Sequence, residues 1–323
     1  MALMAHQPWT VHDVPSQHGR TAVVTGTNTG LGFETARILA QLGAAVVLTC
    51  RTEAKGAEAA DRIRALAPDS AVTTLQLNLA SQASVREAAE RLRGEHQRID
   101  LLINNAGMLG STERQVTEDG FEATFATNHL GVFAFTGLVL DRLLPVPGSR
   151  VVTLSSITNR FAALDFDDLQ SQNGYRRDRV YSRSKLANLM FSYELQRRLT
   201  AAGVNTLSVA AHPGQSRTEF TRDLNPVLRF LYGPRARRVT SLLMQDKTIG
   251  VLGTIRAAVD LDVEGGAYFG PSGPLQLTGH PVHVASSGHS HDAAALRRLW
   301  EESERLTNVT YPLLQPQSSR EPG

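Results

Sequence analysis

Apolar and β-branched residues gather in short runs at 21–26, 44–50, 72–77, 99–103, 150–154 and 204–209. Runs of that length, bounded by turn residues, predict strands with both faces buried. Between them, apolar positions recur every three or four residues over 31–42, 53–66, 81–95, 120–144 and 180–200, the period of a helix with one buried side. The punctuation agrees: Gly43 can close the first helix, Pro68 stops the second, Ser81 can cap the third and Pro145 ends the fourth. A further helix is expected over 242–260 and a short last strand over 267–269. Strand and helix alternate with short gaps to residue 210, which predicts an α/β protein with a doubly wound parallel sheet and helices on both faces. One domain over 21–310 is the simplest division, with an arm at 1–20 anchored through Trp9 and a tail at 311–323. Two segments stand outside the alternation, 158–179 and a lid at about 215–245, and long loops in compact folds are usually functional or disordered.

Two patterns carry chemistry. The first strand runs into Thr25, Gly26, Thr27, Asn28, Thr29, Gly30, Leu31 and Gly32, where the next helix begins. Glycines there permit a tight turn and close approach of backbone to a pyrophosphate resting on the helix N-terminus. The second pattern is Tyr181 with Lys185, four apart and so on one helical face. A phenol is a poor acid near neutral pH, and a cation one turn away is expected to lower its pKa, making a proton donor and acceptor for a carbonyl or an alcohol.

Composition narrows the setting. The chain has 323 residues, 41% apolar and 20% charged, enough to bury a large core. A net charge of +2 gives no reason to expect a nucleic-acid partner. The single cysteine, Cys50, excludes an intramolecular disulfide and is read as a small filler at a strand end, which suits a reducing, cytoplasmic setting. No window of about 18 apolar residues is expected to form a membrane span, and the first residues do not resemble a secretory signal. His280 with His283 and His289 with His291 have ligand-like spacing but lie in a Gly/Ser-rich stretch, so no metal site is expected. The basic run Arg235–Arg238 reads as lid surface.

The chain resembles the short-chain dehydrogenase/reductases, and among them the retinol-dehydrogenase-like branch. The residues that carry the likeness are the Thr25, Gly26, Gly30, Gly32 turn, then Asn104, Asn105, Ala106 and Gly107 after the fourth strand. Asn128, Ser155 with Ser156, Tyr181 with Lys185, and Pro213 with Gly214 complete the set. The resemblance implies a Rossmann-type fold. It also implies that Tyr181 exchanges a proton with the substrate oxygen, that Lys185 tunes it and holds the nicotinamide ribose, and that Ser156 holds the substrate oxygen. Ser155 would be a turn hydroxyl. Asn128 would hold a proton-relaying water. Asn105, Ala106 and Gly107 would pack on the adenosine ribose, Asn78 and Leu79 would lie by the adenine, and Pro213, Gly214 and Thr218 would meet the carboxamide. At the end of the second strand there is no carboxylate and Arg51 follows Cys50, so NADP(H) is preferred over NAD(H).

The expected activity is interconversion of a carbonyl and an alcohol on a lipophilic small molecule, with apolar residues of 161–175 and 220–244 beside the substrate and no N-terminal membrane anchor. Two alternatives are reduction of a carbon–carbon double bond, as in the protochlorophyllide reductases, and a nucleotide-binding scaffold without turnover. A homo-oligomer would use the helices at 120–144 and 180–200, as the family often does.

Overall fold

In a computed structural model, which describes residues 8–215 and 246–314, the apolar runs become neighbouring strands of one eight-stranded sheet. The strands are β1 Thr21–Thr25, β2 Ala45–Cys50, β3 Val72–Gln76, β4 Leu101–Asn104, β5 Arg150–Leu154, β6 Leu207–Ala211, β7 Tyr268–Pro271 and β8 Pro281–His283. Their order is β3-β2-β1-β4-β5-β6-β7-β8, every pairing parallel except β7 with β8. The order reverses between β1 and β4, and a ligand crevice forms at such a reversal, at the carboxyl ends of the strands.

Side chains alternate along each strand, so each strand supplies two cores. Ala22, Val24, Leu48, Ile103 and Val152 face one layer, made by α1 (Gly30–Gln41), α2 (Glu53–Leu66) and a later helix, Leu252–Val259. Val23, Val47, Leu102 and Val151 face the other, made by α3 (Gln82–Glu95), α4 (Ala123–Arg142) and α5 (Arg177–Ala201). With Leu252–Val259 as α6, the last helix is α7, Ala293–Thr307.

Local chemistry sets most boundaries. The Ser81 hydroxyl accepts from Ser84 N at 3.3 Å and caps α3. Gly43, at φ 95°, closes α1. The fourth helix starts at Ala123 rather than 120, because the Glu122 carboxylate caps it, accepting from Thr124 N at 2.9 Å and Phe125 N at 2.6 Å. The sixth strand begins at Leu207 rather than 204, since Val204 N still bonds Leu199 O at 3.2 Å and Gly203 turns at φ 67°. Against the expectation of no long apolar window, α4 is long and apolar enough to cross a membrane. It is a core helix, with 78% of that window buried. The expected helix over 242–260 is seen as a turn at Lys247–Gly250 followed by α6, and its first residues lie outside the described ones. In the arm, Trp9 packs against the first core, with its carbonyl oxygen 3.2 Å from His280 Nδ1.

The α7 helix clamps the second layer. Trp300 is fully buried, its ring stacked 5.9 Å from Phe191 and lying 5.1 Å from Phe133 and 4.6 Å from Tyr311. Trp300→Ala should therefore cost about 3–5 kcal/mol of stability. Equilibrium urea unfolding checks this, and a loss within the scatter of surface substitutions would remove α7 from the core.

Candidate active site

The first loop of the site follows β1. Gly26 and Gly30 adopt left-handed backbone, φ 70° and 67°, which a side chain would strain. A Cβ on Gly32 would lie 2.3 Å from Gly26 O and from Asn105 Nδ2, so only glycine lets α1 approach. The Asn105 amide donates to Thr25 O at 2.7 Å and Gly26 O at 3.3 Å, and Thr25 Oγ1 accepts from Asn105 N and Ala106 N. Asn105 and Ala106 thus brace the glycine turn. Thr27 is turned inward, donating to Thr49 O at 3.2 Å with Cys50 Sγ 3.4 Å away. Above the turn the picture reverses. Thr29 makes no side-chain capping bond, α1 has no acidic residue in its first turn, and a Cβ on Gly30 would meet nothing within 4 Å. Leu31 is half-buried behind it. Open space over uncapped backbone N–H groups fits the pyrophosphate of a dinucleotide.

The crevice's adenosine side is polar. Arg51 is exposed, and among the described residues its guanidinium has no hydrogen-bond or ionic partner. Asn78 Oδ1 accepts from Ala80 N at 3.2 Å, which turns its NH2 group away from that turn. Leu79 is buried, its carbonyl pressed against Gly131 of α4. Arg62 of α2 was not singled out in the sequence, yet its guanidinium lies 4.0 Å over the Phe33 ring and donates to Asn28 O at 3.4 Å. It is a second cation beside the glycine turn. On the opposite side Gly214 turns at φ 64°, tight against Leu277 O. Pro213 stands before it, and Thr218 lies outside the described residues.

The reactive side chains meet where β5, α4 and α5 converge. Lys185 is only 4% exposed, its ammonium donating to Leu154 O at 3.2 Å and lying 5.9 Å from the Tyr181 ring centroid. Ser156 is hydrogen-bonded to the Tyr181 phenol. Ser155 is buried and donates to Lys185 O at 2.8 Å, so it ties β5 to α5. Asn159 supports the same corner, donating to Ser156 O at 2.6 Å and to the Tyr268 hydroxyl at 2.9 Å. Asn128 is fully buried and sits in a π turn, Ala126–Leu130, inside α4. Its Oδ1 accepts from Met108 N at 2.7 Å, and its Nδ2 donates to Met108 O and Ser184 Oγ, each at 2.9 Å. A Cβ on Gly107 would lie 3.0 Å from Lys185 Nζ and 3.3 Å from Asn128 Oδ1, so the loop after β4 touches both. π turns interrupt helices most often at functional sites.

The electrostatics correct one expectation. Burial pushes the Tyr181 phenol above its ordinary value, and the bond from Ser156 only partly opposes this. The ammonium does not win, because burial also lowers Lys185, to about 8, and aims its proton at a carbonyl. The phenol is therefore held protonated at neutral pH. Of the apolar residues expected beside the substrate over 161–175, Leu164 and Phe166 are half-buried against Leu186, Met190 and Leu299, while Phe161 is 87% exposed. The apolar candidates from Phe220 to Met244 and the run Arg235–Arg238 lie outside the described residues. His291 is exposed, as its loop suggested, and it stacks 4.7 Å from Tyr193 and bonds Ser286 Oγ at 2.8 Å.

Residues 20–228 match the family model described as short chain dehydrogenase. Over 304 residues the chain is 36% identical to retinol dehydrogenase 14 of Mus musculus, covering 90% of this chain and 87% of that protein. A solved structure of an uncharacterized protein from Mycobacterium Paratuberculosis is 37% identical and superposes with a TM-score of 0.78, covering 94% of this chain and 99% of that one. The Pseudomonas aeruginosa RhlG/NADP active-site complex shares the fold, with 24% identity, a TM-score of 0.61, and coverage of 78% of this chain and 94% of that one.

Lys185 gives a pH prediction. Below about pH 8 it is charged in both the folded and unfolded states, and burying that charge costs stability. Between about 8 and the ordinary lysine value of 10.5 the unfolded chain still holds the proton that the folded chain has lost, so stability rises with pH across that window. Lys185→Met should be more stable than the parent at pH 7 by about 1–3 kcal/mol. The difference should fade towards pH 10.5, as read from unfolding curves of both proteins at pH 7 and pH 10. A pH-independent difference would contradict the buried-charge account.

Proposed function

This chain belongs to the short-chain dehydrogenase family of oxidoreductases, and on that premise we propose that it interconverts a carbonyl and an alcohol on a lipophilic small molecule using NADP(H). The observation that carries the reading is the convergence of Tyr181, Ser156, Lys185 and Asn128 at the carboxyl edge of the sheet, beside the open glycine turn.

When bound, the nicotinamide supplies or takes up the hydride. The protein supplies position and proton transfer. Ser156 donates to the substrate oxygen and stabilises charge developing there. Tyr181, kept protonated by burial, gives its proton to that oxygen in reduction and receives it in oxidation. Lys185 would hold the nicotinamide ribose hydroxyls. Its ammonium also favours the phenolate at the moment the proton leaves, when the charge it faces is greatest. Asn128 fixes the loop at Met108 and the α5 backbone through Ser184, and it would hold a water that relays protons towards Lys185.

Arg51 and Arg62 support the choice of NADP(H), since two guanidinium groups flanking the glycine turn suit a 2′-phosphate and the end of β2 carries no carboxylate. The NADP in the Pseudomonas aeruginosa complex is consistent with the choice. A lipophilic substrate is supported by the retinol dehydrogenase name of a relative and by Phe161, exposed a few residues beyond Ser156.

The test is a panel of matched ketones, alcohols and enones run with NADPH and NADH in parallel. Turnover of ketones or alcohols with NADPH favoured supports the reading, reduction of the enone double bond alone replaces it, and cofactor binding without turnover leaves a scaffold. Tyr181→Phe should lower kcat by about 10²–10⁴-fold with little change in cofactor affinity. Arg51→Ala should raise KM for NADPH about tenfold and leave NADH unaffected, a charge-assisted contact being worth roughly that much.

A further inference from the structure

His212 follows β6 immediately and has no part in the chemistry described above. It is buried to 1% exposure, with both ring nitrogens engaged. Nδ1 accepts from Gly214 N at 3.3 Å, and Nε2 lies 3.1 Å from Gln276 Oε1. An acceptor at Nδ1 requires the proton on Nε2, which then donates to Gln276, so the two bonds select one neutral tautomer.

The surroundings hold the ring in place. A Cβ on Gly270 of β7 would fall 2.1 Å from Nε2, so the imidazole lies flat on backbone that only glycine leaves bare. The Tyr268 ring is 5.3 Å away. Burial, helped by the charge of Arg160 and only partly opposed by the bond to Gln276, lowers the imidazole to about 4, so it stays neutral through the physiological range.

The partner of Nε2 is under strain. Leu275 and Gln276 both take left-handed backbone, φ 53° and 57°, a conformation that is unfavourable for residues with a side chain. Leu275 is exposed, so no packing of its own holds it there. The turn is instead fastened to the loop after β6: Gln215 N donates to Leu277 O at 2.8 Å, and Gly214 packs against that same carbonyl. Strained backbone held by its surroundings concentrates at ligand sites.

We propose that His212 is the positioning residue for the nicotinamide end of the cofactor, its two ring nitrogens locking the Pro213–Gly214 turn to the strained turn at 274–276. The inference rests on the NADP(H) reading above, in which Pro213 and Gly214 meet the carboxamide. The imidazole does not touch the cofactor. It sets the backbone that does, and it should therefore affect one half of the dinucleotide and spare the other.

The experiment compares two probes on the full chain: NADPH, and 2′-phospho-ADP-ribose, which lacks only the nicotinamide. His212→Ala should weaken NADPH binding about tenfold, as expected for loss of the hydrogen bonds that fix the turn, and leave 2′-phospho-ADP-ribose within about twofold. His212→Asn keeps an acceptor near the Nδ1 position and should recover most of the loss. Gln276→Ala, a milder change at the half-buried end of the lock, should weaken NADPH alone by about threefold. It decides the matter should His212→Ala fail to fold. Equal weakening of both probes, or no change in NADPH, overturns the proposal. If the parent chain binds neither probe but binds NADH and ADP-ribose, the NADP(H) reading fails, and the same comparison run on that pair tests the lock. Binding of none of the four overturns both.

Discussion

A charged amine with almost no access to water is the constraint around which this site is arranged. Lys185 can be tolerated in the interior only because backbone oxygen receives its proton and because the elements around it are locked in place. Ser155 fixes its carbonyl, Asn188 shares the Leu154 oxygen with it, and the loop at Gly107 closes over its tip. Each of these belongs to a different segment: the turn after β5, α5, and the loop that leaves β4. One ammonium thus forces three parts of the chain into a single arrangement, and the phenol one turn earlier inherits its position from that arrangement.

The parallel sheet makes the same point at larger scale. Every crossover returns the chain to the same edge, so residues from the ends of β1, β4, β5 and β6 arrive together although they are far apart in sequence. Where the order reverses, adjacent loops leave in opposite directions, and the glycine turn and the Asn105 loop fill that divergence. Asn105 shows how closely support and function are joined here. Its amide lies where a cofactor contact was expected, yet its bonds go to the turn itself.

What the sequence revealed and what it hid divide along physical lines. The six first strands were legible because burial on both faces leaves an uninterrupted apolar run, and the glycine spacing was legible because close approach admits no other residue. β8 was missed: three residues, Pro281, Val282 and His283, at an antiparallel edge leave no period to read. α7 was missed despite a readable signal, Asp292 as a cap followed by apolar positions at 296, 299 and 300. The Tyr181 pKa was expected to fall and instead rises, because desolvation depends on what surrounds the pair and not on their spacing. Leu164 and Phe166, in the stretch expected beside the substrate, are half-buried against a cluster that includes Leu299 of α7, a contact that no local pattern reveals. His212 was passed over because its partner, Gln276, is 64 residues away.

The π turn at Ala126–Leu130 has a different kind of consequence. Such a turn holds one residue more than a regular helix would spend on the same length, so the two halves of α4 face directions that differ by about 100° from an uninterrupted helix. Upstream of the insertion, the face is set by the Glu122 cap and the contacts of Phe125; downstream, by Phe133 and Phe135 in the core. A chain shortened by a single amino acid at that point could still coil smoothly, but it could not keep both halves facing inward. The segment therefore tolerates exchange of side chains far better than change of length, and a one-residue gap opposite 126–130 in a distant homologue would signal the absence of a polar side chain at the position of Asn128, whatever letter stood there.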